Sequence, residues 1–140
     1  ETHLIPLAIN SALGGDELRI FGSNFETKDG TAIRDYIHVD DLGTAHVKAL
    51  NYLLESKEPG VSHFINIGTG LGYSVLDIVN EIISCGLNVK YEIAEKREGD
   101  PPCLIADPSL AEKILNWRAT SSSINQIIKS AINWHLKTKV

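Results

Sequence analysis

Ala32-Ile33-Arg34-Asp35-Tyr36-Ile37-His38-Val39-Asp40-Asp41 decides the fold class of this 140-residue chain. Up to Val39 the run is extended and rich in apolar residues, and its alternation puts Arg34, Tyr36 and His38 on one face, as in a half-buried strand. Beyond it the period changes. Leu42, Ala45, Val47, Ala49, Leu50 and Leu53 follow a helical rhythm, with Asp40 or Asp41 placed to cap the helix that they predict. A strand passing directly into a long amphipathic helix is the unit of an α/β fold.

The same alternation extends outward in both directions. Towards the N-terminus, Leu4, Ile5, Leu7, Ala8, Ala12 and Leu13 predict a helix stopped by Gly14-Gly15. Leu18-Arg19-Ile20-Phe21-Gly22 then predicts a short strand, and residues 23–31, with the turn signal Asp29-Gly30, an exposed loop. Towards the C-terminus, Pro59-Gly60 punctuates the long helix, His63 to Gly68 predicts a buried strand, and Ser74 caps a helix through Val75, Ile78, Val79, Ile82 and Ile83 that Gly86 ends. Strands at Val89 to Ala94 and at Cys103 to Ala106 bracket a charged loop broken by Pro101-Pro102. A brief helix opens at Asp107-Pro108, and a last one, containing Ile124, Ile127, Ile128, Ala131 and Trp134, opens at Ser121 to Ser123. Trp117 and Trp134 are read as packing residues. The strands are few and short, which suits a lobe of mixed α and β better than a complete doubly wound sheet.

Composition bounds the function. The chain has 43% hydrophobic residues, 22% charged residues and a net charge of -5, values of a soluble globular protein able to build one core. Its 13 lysines and arginines are scattered, which excludes a nucleic-acid surface. No apolar run approaches the ~20 residues of a membrane helix. Cys85 and Cys103 are not needed as a staple, so a reduced, cytoplasmic setting is expected. The first residue is Glu1 rather than Met, and a longer polypeptide is the expectation.

Several motifs bear on chemistry. Gly68-Thr69-Gly70-Leu71-Gly72 imitates a dinucleotide-binding turn, but G-x-G-x-x-G needs glycine at position 73, where Tyr73 stands, so a plain turn is expected. Arg34 can grip a phosphate with its planar fork, or be spent on an ion pair with Asp35 or Asp40, and the residues favour neither. His38, Asp40, Asp41 and His46 make a poor metal set, because capping accounts for the aspartates and His46 falls within the helix. Lys96 to Asp100 reads as a solvated charge run or as a loop folding over an anion. No tyrosine is followed four residues later by lysine, so the pairing used in hydride transfer is absent and no catalytic residue is assigned.

Taken in order, Thr2-His3-Leu4-Ile5-Pro6, Leu18 to Gly22, Thr27-x-Asp29-Gly30-Thr31, Arg34 to Asp41, Asn66-Ile67-Gly68-x-Gly70, Arg97-Glu98-Gly99-Asp100 and Leu115-x-Trp117 resemble UDP-glucose 4-epimerases, of the extended short-chain dehydrogenase/reductase family. The resemblance covers nearly the whole chain. The Arg34 run is shared with dehydratases and decarboxylases, whereas its combination with Thr27 to Thr31 and Arg97 to Asp100 is similar to 4-epimerases in particular. The resemblance implies residues 1–140 to be one domain, the C-terminal substrate-binding lobe of a Rossmann-type enzyme.

It further implies that Thr2, His3 and Leu4, with Arg19, Ile20 and Phe21, line a UDP site. Arg34 and Arg97 would bind the diphosphate and Asp100 the ribose, Glu98 and Gly99 would shape the loop, and Leu104 would gate the sugar pocket. His3 departs from the asparagine of many relatives but keeps hydrogen-bonding capacity. The implied reaction interconverts UDP-glucose and UDP-galactose through a tyrosine base and NAD, both held by the N-terminal Rossmann half of the same polypeptide, and the full-length enzyme is implied to be a homodimer. The lobe itself would anchor UDP and be inactive alone. The alternatives are a non-catalytic nucleotide-sugar-binding module, or the lobe of a related dehydratase or decarboxylase.

Overall fold

A computed structural model gives the fold and describes residues 2–55 and 60–138. Among the described residues there are five helices and five short strands. They run in the order α1 (Leu4–Ala12), β1 (Leu18–Phe21), β2 (Ile33–Arg34), α2 (Val39–Glu55), β3 (Tyr73–Ser74), α3 (Val75–Ser84), β4 (Tyr91–Ala94), β5 (Cys103–Leu104), α4 (Ser109–Leu115) and α5 (Ile124–Thr138). β1 and β4 pair in parallel, Leu18 opposite Tyr91 and Phe21 opposite Ala94. β2 lies between β3, antiparallel to it, and β5, parallel to it.

Two apolar clusters hold these elements. The first joins Ala8 and Ile9 of α1, Leu18 and Ile20 of β1, Ile78, Val79 and Ile82 of α3, and Ile128 of α5. Burial of aliphatic side chains of this kind contributes about 1.5–3 kcal/mol each. The second is smaller: Ala45 of α2, Ala111 and Leu115 of α4, and Trp117. Trp117 is buried, as read, and its indole N–H donates to the Asp41 carbonyl and to Thr44 Oγ1. Trp134, by contrast, is 67% exposed on the outer side of α5.

Local chemistry explains most of the helix ends. Ser74 caps α3 through a reciprocal box: Asp77 N donates to Ser74 Oγ (3.0 Å) and Ser74 N donates to Asp77 Oδ2 (2.8 Å). Asp107 Oδ1 accepts from Ser109 N at the entry to α4, and Ser123 Oγ accepts from Gln126 N at the entry to α5. Asn116 closes α4 in the left-handed conformation, φ 46°.

Four further expectations change. The extended run from Ala32 is a ladder strand only at Ile33 and Arg34. Asp40 and Asp41 lie inside the first turn of α2, and the cap is His38, whose Nδ1 accepts from Asp40 N (3.1 Å). Residues 63–68 form no strand, and Phe64 is 91% exposed: the apolar run has no neighbouring strand among the described residues to bond with. Residues 23–31 are no mere exposed loop, because Phe25 and Thr31 are buried. Pro59 lies outside the described residues.

Candidate functional site

The residue types that could meet an anionic ligand converge where α1, β1 and β2 face the loop that follows β4. β1 ends at Phe21, and its neighbour β4 runs alongside it before the chain leaves the sheet through residues 95–102. That loop turns at Gly99, φ 81°, with Asp100 N reaching back to Arg97 O (3.4 Å). It returns to the second sheet when Ile33 N donates to Pro102 O (2.9 Å). Arg34 and Arg97, far apart in the sequence, thereby line one cavity of about 230 Å³.

The cavity wall has a consistent chemistry. Thr2, Leu4, Arg19, Ile20, Phe21 and Asp100 border it along with the two arginines. Arg34 Nη1 donates to Ile33 O (2.8 Å) and Pro101 O (2.9 Å), and its Nη2 stands 3.7 Å from Asp100 Oδ1. Neither Asp35 nor Asp40 takes it as an ion-pair partner. The Arg97 guanidinium lies 3.7 Å over the Phe21 ring, a contact an exposed cation makes and leaves at small energetic cost, about 0.5–1 kcal/mol. Arg19 pairs with Glu92 across the ladder (3.0 Å), with its guanidinium 5.5 Å from the same ring.

Other expected residues sit nearer the margins. His3 is the exposed N-cap residue of α1, while Glu98 and Gly99 form the outer turn of the loop. Leu104 lies in β5 in register with Arg34, exposed, and outside the cavity wall. Tyr36 does border the cavity, together with Ala32 and Val75, and sequence reasoning did not assign it. The alternation that put it on the face of Arg34 was the available signal. Burial pushes its phenol up to about 12, against the lowering influence of Arg34. His38, on the same alternation, is turned into the fold, with Nε2 2.8 Å from Ser130 Oγ.

A second cavity, about 480 Å³, opens between residues 68–73 and 117–123. It is roomier, but its one guanidinium, Arg118, pairs with Glu112, and Thr120 and Ser122 are bound by Asp41. The smaller cavity, with two guanidinium groups on its wall, has the better claim to an anion.

The glycine turn answers the dinucleotide question. Thr69 N donates to Asp35 Oδ1 and Oδ2 (both 3.0 Å), Gly70 N donates to Asp35 Oδ2 (2.9 Å), and a Cβ at Gly68 would lie 2.6 Å from that carboxylate. The amides that a pyrophosphate would seek are occupied by an internal carboxylate, so these residues do not fit NAD. Among the described residues no three His, Cys, Asp or Glu side chains group as metal ligands do, no helix is long and apolar enough to cross a membrane, and the two cysteines are unbridged.

Comparison with known proteins gives a consistent result. Residues 1–68 match the family model of the NAD dependent epimerase/dehydratase family. Two curated relatives are UDP-glucose 4-epimerases, from Rhizobium meliloti (strain 1021), 45% identical over 96% of this chain, and from Lactobacillus helveticus, 39% identical over 96%. The chain spans about two-fifths of their lengths, 40% and 41%. Among solved structures, the UDP-glucose-4-epimerase of Stenotrophomonas maltophila, with bound NAD and formylated UDP-arabinopyranose, superimposes with a TM-score of 0.91 at 34% identity, over 99% of this chain and 41% of that one. The enzyme of Bifidobacterium longum, in complex with NAD+ and UDP, does so with a TM-score of 0.89 at 36% identity, over 99% and 41%.

Proposed function

We infer that this chain, similar along almost its whole length to UDP-glucose 4-epimerases, anchors the UDP moiety of a nucleotide sugar in the cavity between β1, β2 and the loop of residues 95–102. One observation carries the reading: Arg34 and Arg97 border a single cavity that also presents the ring of Phe21. Two guanidinium forks match a diphosphate, and an aromatic ring beside them offers a planar base a face to stack on. Asp100, beside Arg34, supplies an acceptor for a ribose hydroxyl. Within an otherwise acidic chain these groups form a local cationic pocket.

The activity that this anchorage serves is NAD-dependent interconversion of UDP-glucose and UDP-galactose at C4. NAD supplies the hydride acceptor and donor in that chemistry. Because the glycine turn is filled by Asp35 and no tyrosine–lysine pair is present, the cofactor and the proton-transferring groups belong to sequence outside these 140 residues. The chain's own part is binding that is uniform along the reaction, which holds the intermediate while the lightly held sugar turns. A cytoplasmic setting, a role in galactose metabolism and a homodimeric full-length enzyme are parts of the same proposal.

Calorimetry of the chain with UDP tests the site. Binding should weaken on the order of tenfold or more in Arg34→Met and in Arg97→Met, each of which removes a charge-assisted contact. Absence of UDP binding by the unaltered chain, or binding indifferent to both substitutions, would overturn the assignment. Incubation with UDP-glucose and NAD should yield no UDP-galactose, and turnover would show that the chain carries chemistry of its own.

A further inference from the structure

The segment that carries Arg97 is secured at its two ends by backbone hydrogen bonds. Gly22 N donates to Ala94 O (3.0 Å) where the segment leaves β4, and Ile33 N donates to Pro102 O where it returns. Between those points, two successive cations lie on two aromatic rings. Lys96 Nζ stands 4.3 Å from the centroid of Phe25, and Arg97 lies over Phe21.

Phe25 is itself held with care. The Asp29 carboxylate accepts from Thr31 N (2.9 Å), Thr31 Oγ1 (2.8 Å) and Ser74 Oγ, which ties the loop of residues 23–31 to the start of α3. Phe25 N donates to Gly30 O (2.9 Å), closing the loop on itself. The ring then fills the space beside Gly22. A Cβ there would sit 2.6 Å from Phe25 Cε2 and 3.3 Å from Lys96 Cβ, and Gly22 has φ 88°. Three groups meet in a gap that only glycine leaves open. The two motifs whose combination marks the resemblance, Thr27 to Thr31 and Arg97 to Asp100, are thus in physical series through Phe25 and Lys96.

We propose that Phe25 is a positioning residue for the anion site: by stacking under Lys96 it fixes the backbone from which Arg97 reaches the cavity. The inference rests on the reading of that cavity as the diphosphate site. A ring that only filled space would be indifferent to Lys96.

Four variants of the chain decide it: Phe25→Leu, Phe25→Tyr, Lys96→Met and the double variant that combines Phe25→Leu with Lys96→Met. UDP and uridine affinities are measured by NMR titration, and amide exchange at residues 97–100 is followed without ligand. Loss of the stack should weaken UDP binding roughly two- to fivefold in Phe25→Leu and in Lys96→Met. Uridine binding should stay as in the parent, exchange at 97–100 should quicken, and the double variant should be no weaker than either single one. Phe25→Tyr, which keeps the ring, should match the parent. Lys96 is exposed, so its variant retains the fold and carries the test if Phe25→Leu does not fold. An unchanged ratio of UDP to uridine affinity and unchanged exchange in Lys96→Met would overturn the inference while leaving the site standing. A parent chain that binds no UDP would overturn the site itself, and the exchange measurement would still show whether Phe25 fixes the segment.

Discussion

Asp41 shows how a single carboxylate can matter more for what it joins than for where it falls in the sequence. The residue is 2% exposed and accepts hydrogen bonds from Thr120 N (3.1 Å), Ser121 N (2.8 Å) and Ser122 Oγ (2.5 Å), so it clasps α2 to the loop before α5. Burial alone would push its carboxyl up, but those donors together hold it below the usual carboxylate range. Asp41→Ala leaves the donors without a partner and should cost about 3 kcal/mol, read from urea unfolding. The pH dependence has a definite sign. A carboxyl depressed in the folded state gives its full contribution above its unfolded pKa, about 4, and loses it as pH falls through the folded value. The melting temperature should therefore drop on acidification below about pH 4, and drop less in Asp41→Asn, where this contribution is absent.

At the level of elements, what could be read in advance was what short-range chemistry determines. Ser74 and Asp77 stand three residues apart ahead of an apolar run, and α3 begins there with both hydrogen bonds formed. Ser74→Ala should destabilise by about 1 kcal/mol in thermal or urea unfolding, more if the bond to Asp29 is lost with it. Asn116→Ala should cost about 1 kcal/mol, because alanine resists the left-handed turn that ends α4. Elements whose identity depends on distant partners were less legible. Residues 63–68 have the composition of a strand but no ladder to join, and Asp41 resembles a cap until Ser122 is seen beside it. The candidate site divides in the same way. Arg34, Arg97 and Phe21 could be named from the resemblance, and the alternation that sets Tyr36 on the face of Arg34 pointed to it, whereas Phe25 acquires a place only once Lys96 of the 95–102 loop lies over its ring.

Across the whole molecule, apolar side chains remain on the outside along one helix and the segment that follows it. Val39, Val47, Leu50, Leu53 and Leu54 of α2 are exposed, as are Val61 and Phe64. Surface of this kind favours association. The chain should self-associate at micromolar concentration in sedimentation, and Leu50→Lys with Leu53→Lys should shift it towards monomer with little loss of stability; a monomeric parent chain would contradict this. The larger core makes a different demand. α1 packs on α5, and β1 pairs with β4, each joining residues far apart in the sequence. Closing contacts of such long range is slow, so this core cannot form progressively during synthesis. A chain halted before Ile124 lacks the helix that packs on α1 and α3, and its truncation there should leave the apolar faces of both open to chaperones and proteases.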